Sequence, residues 1–253
     1  MKKIPFYTHT DFSKYYLHFA IQNKSDKLNK KRLLKKMLNE LLELTNKFLI
    51  IPTYNYSFGK NKIYNINKDI SQVGSFSEYF RKKYKKNRTL VPFYSDCSNL
   101  DLNKYFIKKD LVTPFGENSI FDLLYKKKGK IVFFCSEFSP TYIHFIESQI
   151  FEKIIYRFYK KFSGKIHFNK KKRKILLKMQ VIPRRIKINY EKMKKKKYLI
   201  KFYIFKTKKT KSNFYYSLFD VRNFHDFCMK KISKNSFYFL TSDSRKQIEK
   251  FYF

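Results

Sequence analysis

The sequence predicts a layered α/β/α fold with a mostly parallel central sheet, and a β-rich C-terminal lobe packed on it. Three observations predict it. Short apolar runs, Ile4-Pro5-Phe6-Tyr7, Phe48-Leu49-Ile50-Ile51 and Lys130-Ile131-Val132-Phe133-Phe134-Cys135, have the length and continuity of strands buried on both faces. The segment between the first two repeats its apolar residues every 3.6 positions. Polar motifs stand where the apolar runs end, which is where open α/β sheets carry their chemistry.

Taken in order, Ile4–Tyr7 is a first strand that delivers His9, Thr10, Asp11 and Ser13 to its carboxyl end. Residues 30–46 place Leu33, Leu34, Met37, Leu38, Leu41, Leu42 and Leu44 on one stripe of a helix. Pro52 stops the second strand, so these three elements form a βαβ unit with a right-handed crossover. Residues 74–86 read as a short helix bearing Phe76, Tyr79 and Phe80. A second short helix, 120–127, is capped by the Glu117-Asn118-Ser119 segment and ended by Gly129. The strand 130–135 leads through Pro140 to a helix from about Tyr142. Beyond Tyr156 the texture changes. Strands 165–168 and 174–181 flank a basic turn, 169–173, as a hairpin; 198–205 is a further strand and 222–233 a terminal helix. The expected division is 1–155 as the α/β core and 156–253 as the C-terminal lobe.

At 253 residues with 43% hydrophobic content the chain is long enough to bury a substantial core. Its 29 Phe, 21 Tyr and abundance of Lys share A/T-rich codons, so much of the composition reflects codon bias. A net charge of +39 attracts polyanions, but the basic runs are spread between periodic apolar segments, as solvated faces and turns are. Three widely spaced cysteines, Cys97, Cys135 and Cys228, fit neither a disulfide framework nor a zinc site; they read as packing residues in a reducing compartment. No metal-ligand set is visible. No apolar h-region follows Met1-Lys2-Lys3, and no stretch approaches the roughly 20 apolar residues of a membrane span, so the expectation is a cytoplasmic protein.

Chemistry concentrates in a few places. In Thr141-x-x-His144-x-x-Glu147, the last two side chains lie three apart at a helix start and share a face. A carboxylate beside an imidazole raises the ring's pKa and fixes its tautomer, as a general base near neutral pH requires. Glu78 lies within Gly74-x-x-x-Glu78-x-Phe80-Arg81, where it either faces a pocket or pairs with Arg81 or Lys82. Asp11 has a similar dual reading. Tyr54 and Tyr56, in Pro52-Thr53-Tyr54-Asn55-Tyr56-Ser57-Phe58, either line a site or pack an aromatic turn.

In their order and spacing these motifs, with Arg88-Thr89-Leu90-Val91-Pro92-Phe93-Tyr94-Ser95 and Phe115-Gly116-Glu117-Asn118-Ser119, resemble the aminoglycoside 3-N-acetyltransferase family. These are coenzyme-A-dependent enzymes that acetylate an amine on a sugar. The resemblance covers about residues 5–165. It implies acetyl-CoA as cosubstrate and a small-molecule aminosugar as acceptor. His144 becomes the base in the family's Thr-x-x-His-x-x-Glu segment, Glu147 orients it, and Glu78 faces the acceptor pocket. His9, Thr10 and Ser13 match the His-Ser-Ser-Leu-Ser segment and would bind the coenzyme pyrophosphate, with Asp11 replacing a serine. Arg88 and Ser95 match the arginine and serine of Arg-Ser-x-His-Pro-x-His-Ser and join the coenzyme set. Asp11, Tyr54, Tyr56 and Tyr94 join the acceptor set, Tyr54 and Tyr56 from a loop like the family's Pro-Thr-Phe-x-Tyr-Ser. Val91 and Tyr94 stand where many antibiotic-modifying members carry histidines, which points the acceptor toward an aminosugar of a cell-surface polysaccharide pathway. Tyr156-Arg157-Phe158 is also family-like and is read as shaping the lobe boundary. Relative to the family, the first helix and a Gly-rich segment after Ser13 are expected to be reduced or absent. Two alternatives remain at this level: a basic nucleic-acid-binding protein, with lysines on phosphates and tyrosines stacked on bases, or a family member that has lost catalysis. Oligomeric state is not encoded in any of these features.

Overall fold

In the computed structural model the described residues are 3–23, 28–102, 113–168, 171–190 and 206–252. Strands β1 (Phe6–Thr10), β2 (Leu49–Pro52), β4 (Asp96–Ser98), β5 (Lys130–Phe134), β8 (Lys206–Lys209) and β9 (Tyr215–Asp220) form one six-stranded sheet in the order β4-β2-β1-β5-β9-β8. The β1–β2 and β1–β5 pairs are parallel, but β2–β4, β5–β9 and β8–β9 are antiparallel. The sheet is therefore mixed, which corrects the expectation of a mostly parallel one. The parallel centre comes from the βα repeat, while β4 and β9 run against the strands they join and β8 pairs antiparallel with β9 at the edge.

Strand alternation divides the core between two faces. Tyr7, Ile50, Ile131, Phe133 and Phe219 point to one side. They meet α5 (Ile120–Lys126), α6 (Ile143–Gln149), α7 (Val221–Ile232) and α8 (Ser242–Tyr252) through Phe121, Ile146, Phe224 and Ile248. Phe6, Leu49, Ile51, Val132, Phe134 and Leu218 point to the other. There they pack on α1 (Phe12–Asn23), α2 (Lys30–Leu44) and α4 (Ser75–Lys83) through Tyr15, Phe19, Leu38, Leu41, Phe76 and Phe80. The predicted stripe of α2 is the one buried, and Asn29 caps its start by accepting from the Arg32 amide at 2.9 Å. Ser119 does the same for α5, accepting from the Asp122 amide.

A second sheet has the order β3-β6-β7, from β3 (Ile63–Asn65), β6 (Phe158–Phe168) and β7 (Lys171–Val181). The short helix α3 (Phe58–Asn61) leads into β3. The hairpin is longer than its apolar residues announce, because Lys171, Lys172 and Arg173, expected in the turn, pair with Phe168, His167 and Ile166 as strand. A third cluster, including Phe58, Tyr64, Val91, Phe93, Ile166 and Leu177, sits beneath it. Residues beyond 155 contribute to both sheets. The helix that follows β1, α1, has 12 residues. The strand expected at 198–205 lies outside the described residues. Among the described residues, no helix is long and apolar enough to cross a membrane.

Candidate active site

The chain leaves β5 at the carboxyl end of the parallel strands, passes through Pro140 and enters α6. This helix buries Ile143, Phe145, Ile146 and Glu147, which leaves His144 at the rim with 23% of its side chain exposed. The i, i+3 spacing brings His144 Nδ1 to 3.3 Å from Glu147 Oε2. Glu147 is wholly buried, and three further groups serve it. Arg157 Nε stands 2.7 Å from Oε2, while the hydroxyls of Tyr190 and Tyr156 donate to Oε1 at 2.6 and 2.8 Å. Arg157 Nη2 also lies 3.0 Å from His144 Nδ1 and donates to the Tyr190 hydroxyl at 2.9 Å.

Burial alone would raise the Glu147 pKa. The Arg157 charge and hydrogen bonds from His144 and Tyr190 overcome it and hold the carboxyl at about 2. The sequence expectation for His144 is corrected in sign: its pKa is lowered, by burial first and by the Arg157 charge second, against the upward pull of Glu147. The ring is therefore neutral at pH 7 and free to accept a proton. Two groups compete for Nδ1. With its hydrogen on Nδ1 the ring donates to Glu147, Arg157 Nη2 is satisfied by Tyr190, and Nε2 keeps its lone pair. With Nδ1 accepting from Arg157, Nε2 carries the hydrogen. Only the first tautomer is a base toward a ligand.

A cavity of about 120 Å³ opens beside the ring, lined by Phe138, Ser139, Pro140, Thr141, Ile143, His144 and Tyr190. That is the volume of roughly four waters, enough for an acyl group and an amine, and smaller than a typical ligand pocket. On the other side an aromatic arm runs outward. Phe115 meets His144 edge-on at 5.1 Å, Tyr94 meets Phe115 at 4.6 Å, and Tyr54 meets Tyr94 at 5.0 Å. Tyr56, half exposed, lies 6.2 Å from Tyr94 and closes the row. Thus three acceptor candidates from two distant loops, Tyr54, Tyr56 and Tyr94, converge on the neighbourhood of His144. Phe93, at φ 65°, precedes Tyr94; the Asn55 amide holds its carbonyl at 3.1 Å, and the Phe58 and Phe162 rings hold its side chain.

The remaining candidates are placed differently. Glu78 accepts two hydrogen bonds from Arg81 at 2.7 Å each and one from the Ser71 amide at 2.7 Å. Burial opposes its ionisation, but these donors carry its pKa below the ordinary value. Asp11 Oδ1 caps α1, accepting from the Ser13 and Lys14 amides at 3.0 and 3.1 Å, so a carboxylate already holds the donors that a pyrophosphate would use there. Thr10 is half-buried and Ser13 exposed beside that cap. His9 stacks on Phe133, and burial lowers its pKa to about 4. Arg88 is turned inward: its three guanidinium nitrogens donate to Thr53 Oγ1, Ser95 Oγ and the carbonyls of Thr53, Ile66 and Asp69. Ser95 is fully buried in the same network. Val91 packs in the third cluster. Among the described residues, no group of three or more His, Cys, Asp or Glu side chains is placed to hold a metal ion.

The sequence profile of the aminoglycoside 3-N-acetyltransferase family matches residues 52–232, well over half of the chain. The chain belongs to the aminoglycoside 3-N-acetyltransferase family. It is by that membership an N-acetyltransferase, and enzymes of this family use acetyl-CoA. Solved structures with the same fold include YokD from Bacillus subtilis, 16% identical over 92% of this chain and 93% of that one, with a TM-score of 0.64. A mutant of the aminoglycoside acetyltransferase AAC(3)-IVa in complex with a gentamicin is 11% identical over 98% and 90%, with a TM-score of 0.67. AAC-IIIb in a binary complex with CoASH is 10% identical over 92% and 90%, with a TM-score of 0.68. No curated protein matches the sequence.

Sequence reasoning missed part of the constellation. The sequence places Arg157 at the lobe boundary, yet it is the cation that fixes Glu147. The Tyr156-Arg157 pair was the available signal. Tyr190 lies alone beyond β7, and nothing local marks it. Tyr7 and Asp96 were hidden for a different reason: each sits within a short strand and reads as sheet.

Proposed function

We propose that this protein transfers the acetyl group of acetyl-CoA to an amine of an aminosugar, with His144 as base. The observation that carries the reading is a neutral imidazole at the rim of a cavity, held from behind by a buried, ionised Glu147. Glu147 accepts from His144 Nδ1 and fixes the tautomer whose Nε2 lone pair faces the ligand. A sugar ammonium first loses one proton to solvent. The free amine then attacks the thioester carbonyl, forming a C–N bond as its second proton passes to Nε2. Collapse of the tetrahedral intermediate breaks the C–S bond, and the coenzyme leaves as a thiolate that His144 reprotonates.

Tyr54, Tyr56 and Tyr94 form the acceptor wall. Sugars present apolar faces and ring hydroxyls together, and amphipathic phenols suit both. Glu78 acts at a distance, through the α4 start that it locks with Arg81 and the Ser71 amide. Arg88 and Ser95 serve the coenzyme indirectly, by setting the backbone of the 53–69 and 88–95 segments. At the β1–α1 turn, Thr10, Ser13 and Lys14 supply hydroxyls and a charge to the phosphates, while Asp11 keeps the cap. That the AAC-IIIb structure holds CoASH and the AAC(3)-IVa structure a gentamicin supports this pairing of ligands. With Val91 buried and Tyr94 on the wall in place of histidines, the acceptor is better matched to a cell-surface polysaccharide aminosugar than to a drug.

The test is coenzyme A release in the presence of acetyl-CoA and a panel of aminosugars. His144→Asn preserves a similar shape and removes the base. Its turnover should fall by about 10²–10⁴-fold, the usual range for a general base, with thermal stability retained. Unchanged turnover in a folded variant would remove His144 from this role.

A further inference from the structure

Behind the acceptor wall lies a second acid that the mechanism above does not use. Asp96, on β4, is 2% exposed, and its Oδ1 accepts from the Tyr7 hydroxyl at 2.8 Å. The Tyr7 hydroxyl is also 2.6 Å from that of Tyr54, and either oxygen can donate. Tyr54 in turn stands against Tyr94 and the side chain of Thr141, which lines the cavity with His144. The two strands that flank β2, β4 and β1, together with the loop after β2, thus build one unbroken chain of hydroxyls from a buried carboxyl to the acceptor wall. Among the described residues no Lys or Arg forms an ion pair with Asp96.

We propose that Asp96 is a specificity-determining residue of the acceptor pocket, acting through Tyr7 to set whether the Tyr54 hydroxyl donates or accepts a hydrogen bond there. This rests on the reading of that pocket as the aminosugar site. With a proton on Asp96, the acid donates to Tyr7, Tyr7 donates to Tyr54, and the Tyr54 hydrogen faces the ligand. Loss of one proton reverses every bond: the acid's hydrogen moves to Tyr7, the Tyr7 hydrogen to Tyr54, and the Tyr54 hydrogen leaves to water in the pocket. Tyr54 then donates inward to Tyr7, Tyr7 donates to the carboxylate, and the Tyr54 oxygen offers lone pairs to the ligand. The ionised chain fits an amine or a hydroxyl that donates, and an ammonium favours it further by its charge. The protonated chain fits an ether or carbonyl oxygen.

The surroundings place this exchange within reach of ordinary pH. Burial pushes Asp96 up to about 8, against the Tyr7 hydrogen bond and the positive charge of Arg88. The other titratable groups that face the chain stay in one state across that range. Cys97, beside Asp96, is pushed up to about 12 by burial; Tyr7, Tyr54 and Tyr94 are raised by burial; and His9, 5.3 Å from Tyr7, is lowered to about 4.

The test reads Asp96 and Tyr54 directly by carbon NMR of carboxyl- and ring-labelled protein. Asp96→Asn and Tyr54→Phe assign the signals, and thermal unfolding checks that both fold. The Asp96 carboxyl should titrate above neutrality, and the Tyr54 ring carbon should follow it with the same midpoint. That inflection should vanish in Asp96→Asn and in Tyr7→Phe. Glucosamine, measured calorimetrically, should bind about two- to tenfold more tightly above the midpoint than below it, the worth of one hydrogen bond, and the difference should be absent from both variants. A Tyr54 signal that ignores Asp96 overturns the proposal, as does equal glucosamine affinity at the two pH values, absence of binding included. Coenzyme A titration of the same samples separates the two readings. A protein that does not bind it loses the acetyltransferase assignment, while the NMR outcome still decides the hydroxyl chain.

Discussion

At the scale of single residues, the site turns on one cation. Arg157 neutralises Glu147, and in doing so it cancels the basicity that Glu147 would otherwise lend to His144. Replacing Arg157 by Gln removes the positive charge that disfavours imidazolium and leaves the carboxylate unopposed. The His144 pKa should rise, and the ascending limb of the pH–rate profile should move to higher pH. The same change leaves a buried carboxylate without its partner, so urea unfolding should show a loss of about 3–5 kcal/mol. A limb that stays in place would mean that Arg157 does not act on His144. The Glu147 contribution has its own pH window. The folded-state pKa of about 2 lies below the ordinary 4.5, so the stabilisation is complete above 4.5 and is lost as pH falls toward 2. The His144–Glu147 pair was legible in the sequence because helical spacing is a local rule. The sign of its electrostatics was not, since that depends on Arg157 and Tyr190, which the chain delivers from 10 and 43 residues beyond Glu147.

At the scale of elements, the sequence spoke clearly where periodicity was strong and apolar. The α2 stripe and the β2 and β5 runs announce nearly their observed bounds. Helix α1 does not stand out in the sequence, although Phe12, Tyr15, Tyr16 and Phe19 carry helical spacing. Aromatic residues are so frequent in this chain that their periodicity does not stand out, and phenols count as polar in a simple pattern. Strand β9 was missed for a related reason, since Tyr215-Tyr216-Ser217-Leu218-Phe219 alternates only weakly; with it went the antiparallel character of the sheet edge. The small sheet makes a sharper demand. At Gly164 an added Cβ would collide with the Lys62 carbonyl and the Phe58 ring, both pressed against β6 where the Lys165 amide donates to Lys62 at 2.8 Å. Gly164→Ala should therefore destabilise the protein by about 1–3 kcal/mol, read as a lower thermal midpoint. Because Phe58 follows the Tyr54–Tyr56 loop, the acceptor KM should rise more than the acetyl-CoA KM. Unaltered stability would show that β3 and β6 have room that the structure does not give them.

At the scale of the whole molecule, a charge of +39 is the property most open to misreading. It attracts polyanions in general, and a coenzyme with several phosphates is one of them. A chain that served nucleic acid would show affinity for oligonucleotides falling steeply and linearly with the logarithm of salt concentration, without a stabilising effect of acetyl-CoA. This protein should instead be stabilised thermally by acetyl-CoA at salt concentrations that abolish oligonucleotide binding. Stabilisation by oligonucleotide alone would reverse the assignment. Family membership was legible because short polar motifs at strand ends keep their order even when composition drifts. Sheet order and the route of residues beyond 155 were not, because pairing between distant strands leaves no local mark.

The central claim is that His144 removes a proton from the attacking amine. It is tested most directly by kcat/KM for the acceptor as a function of pH, in the native protein and in His144→Asn, at saturating acetyl-CoA. The native profile should rise with an inflection below the ordinary imidazole value of 6.5, since burial and Arg157 lower the pKa, and that limb should disappear in the variant while acetyl-CoA still binds. The same low-pH limb surviving the substitution unchanged would contradict the account; the limb from the amine's own ionisation is common to both proteins.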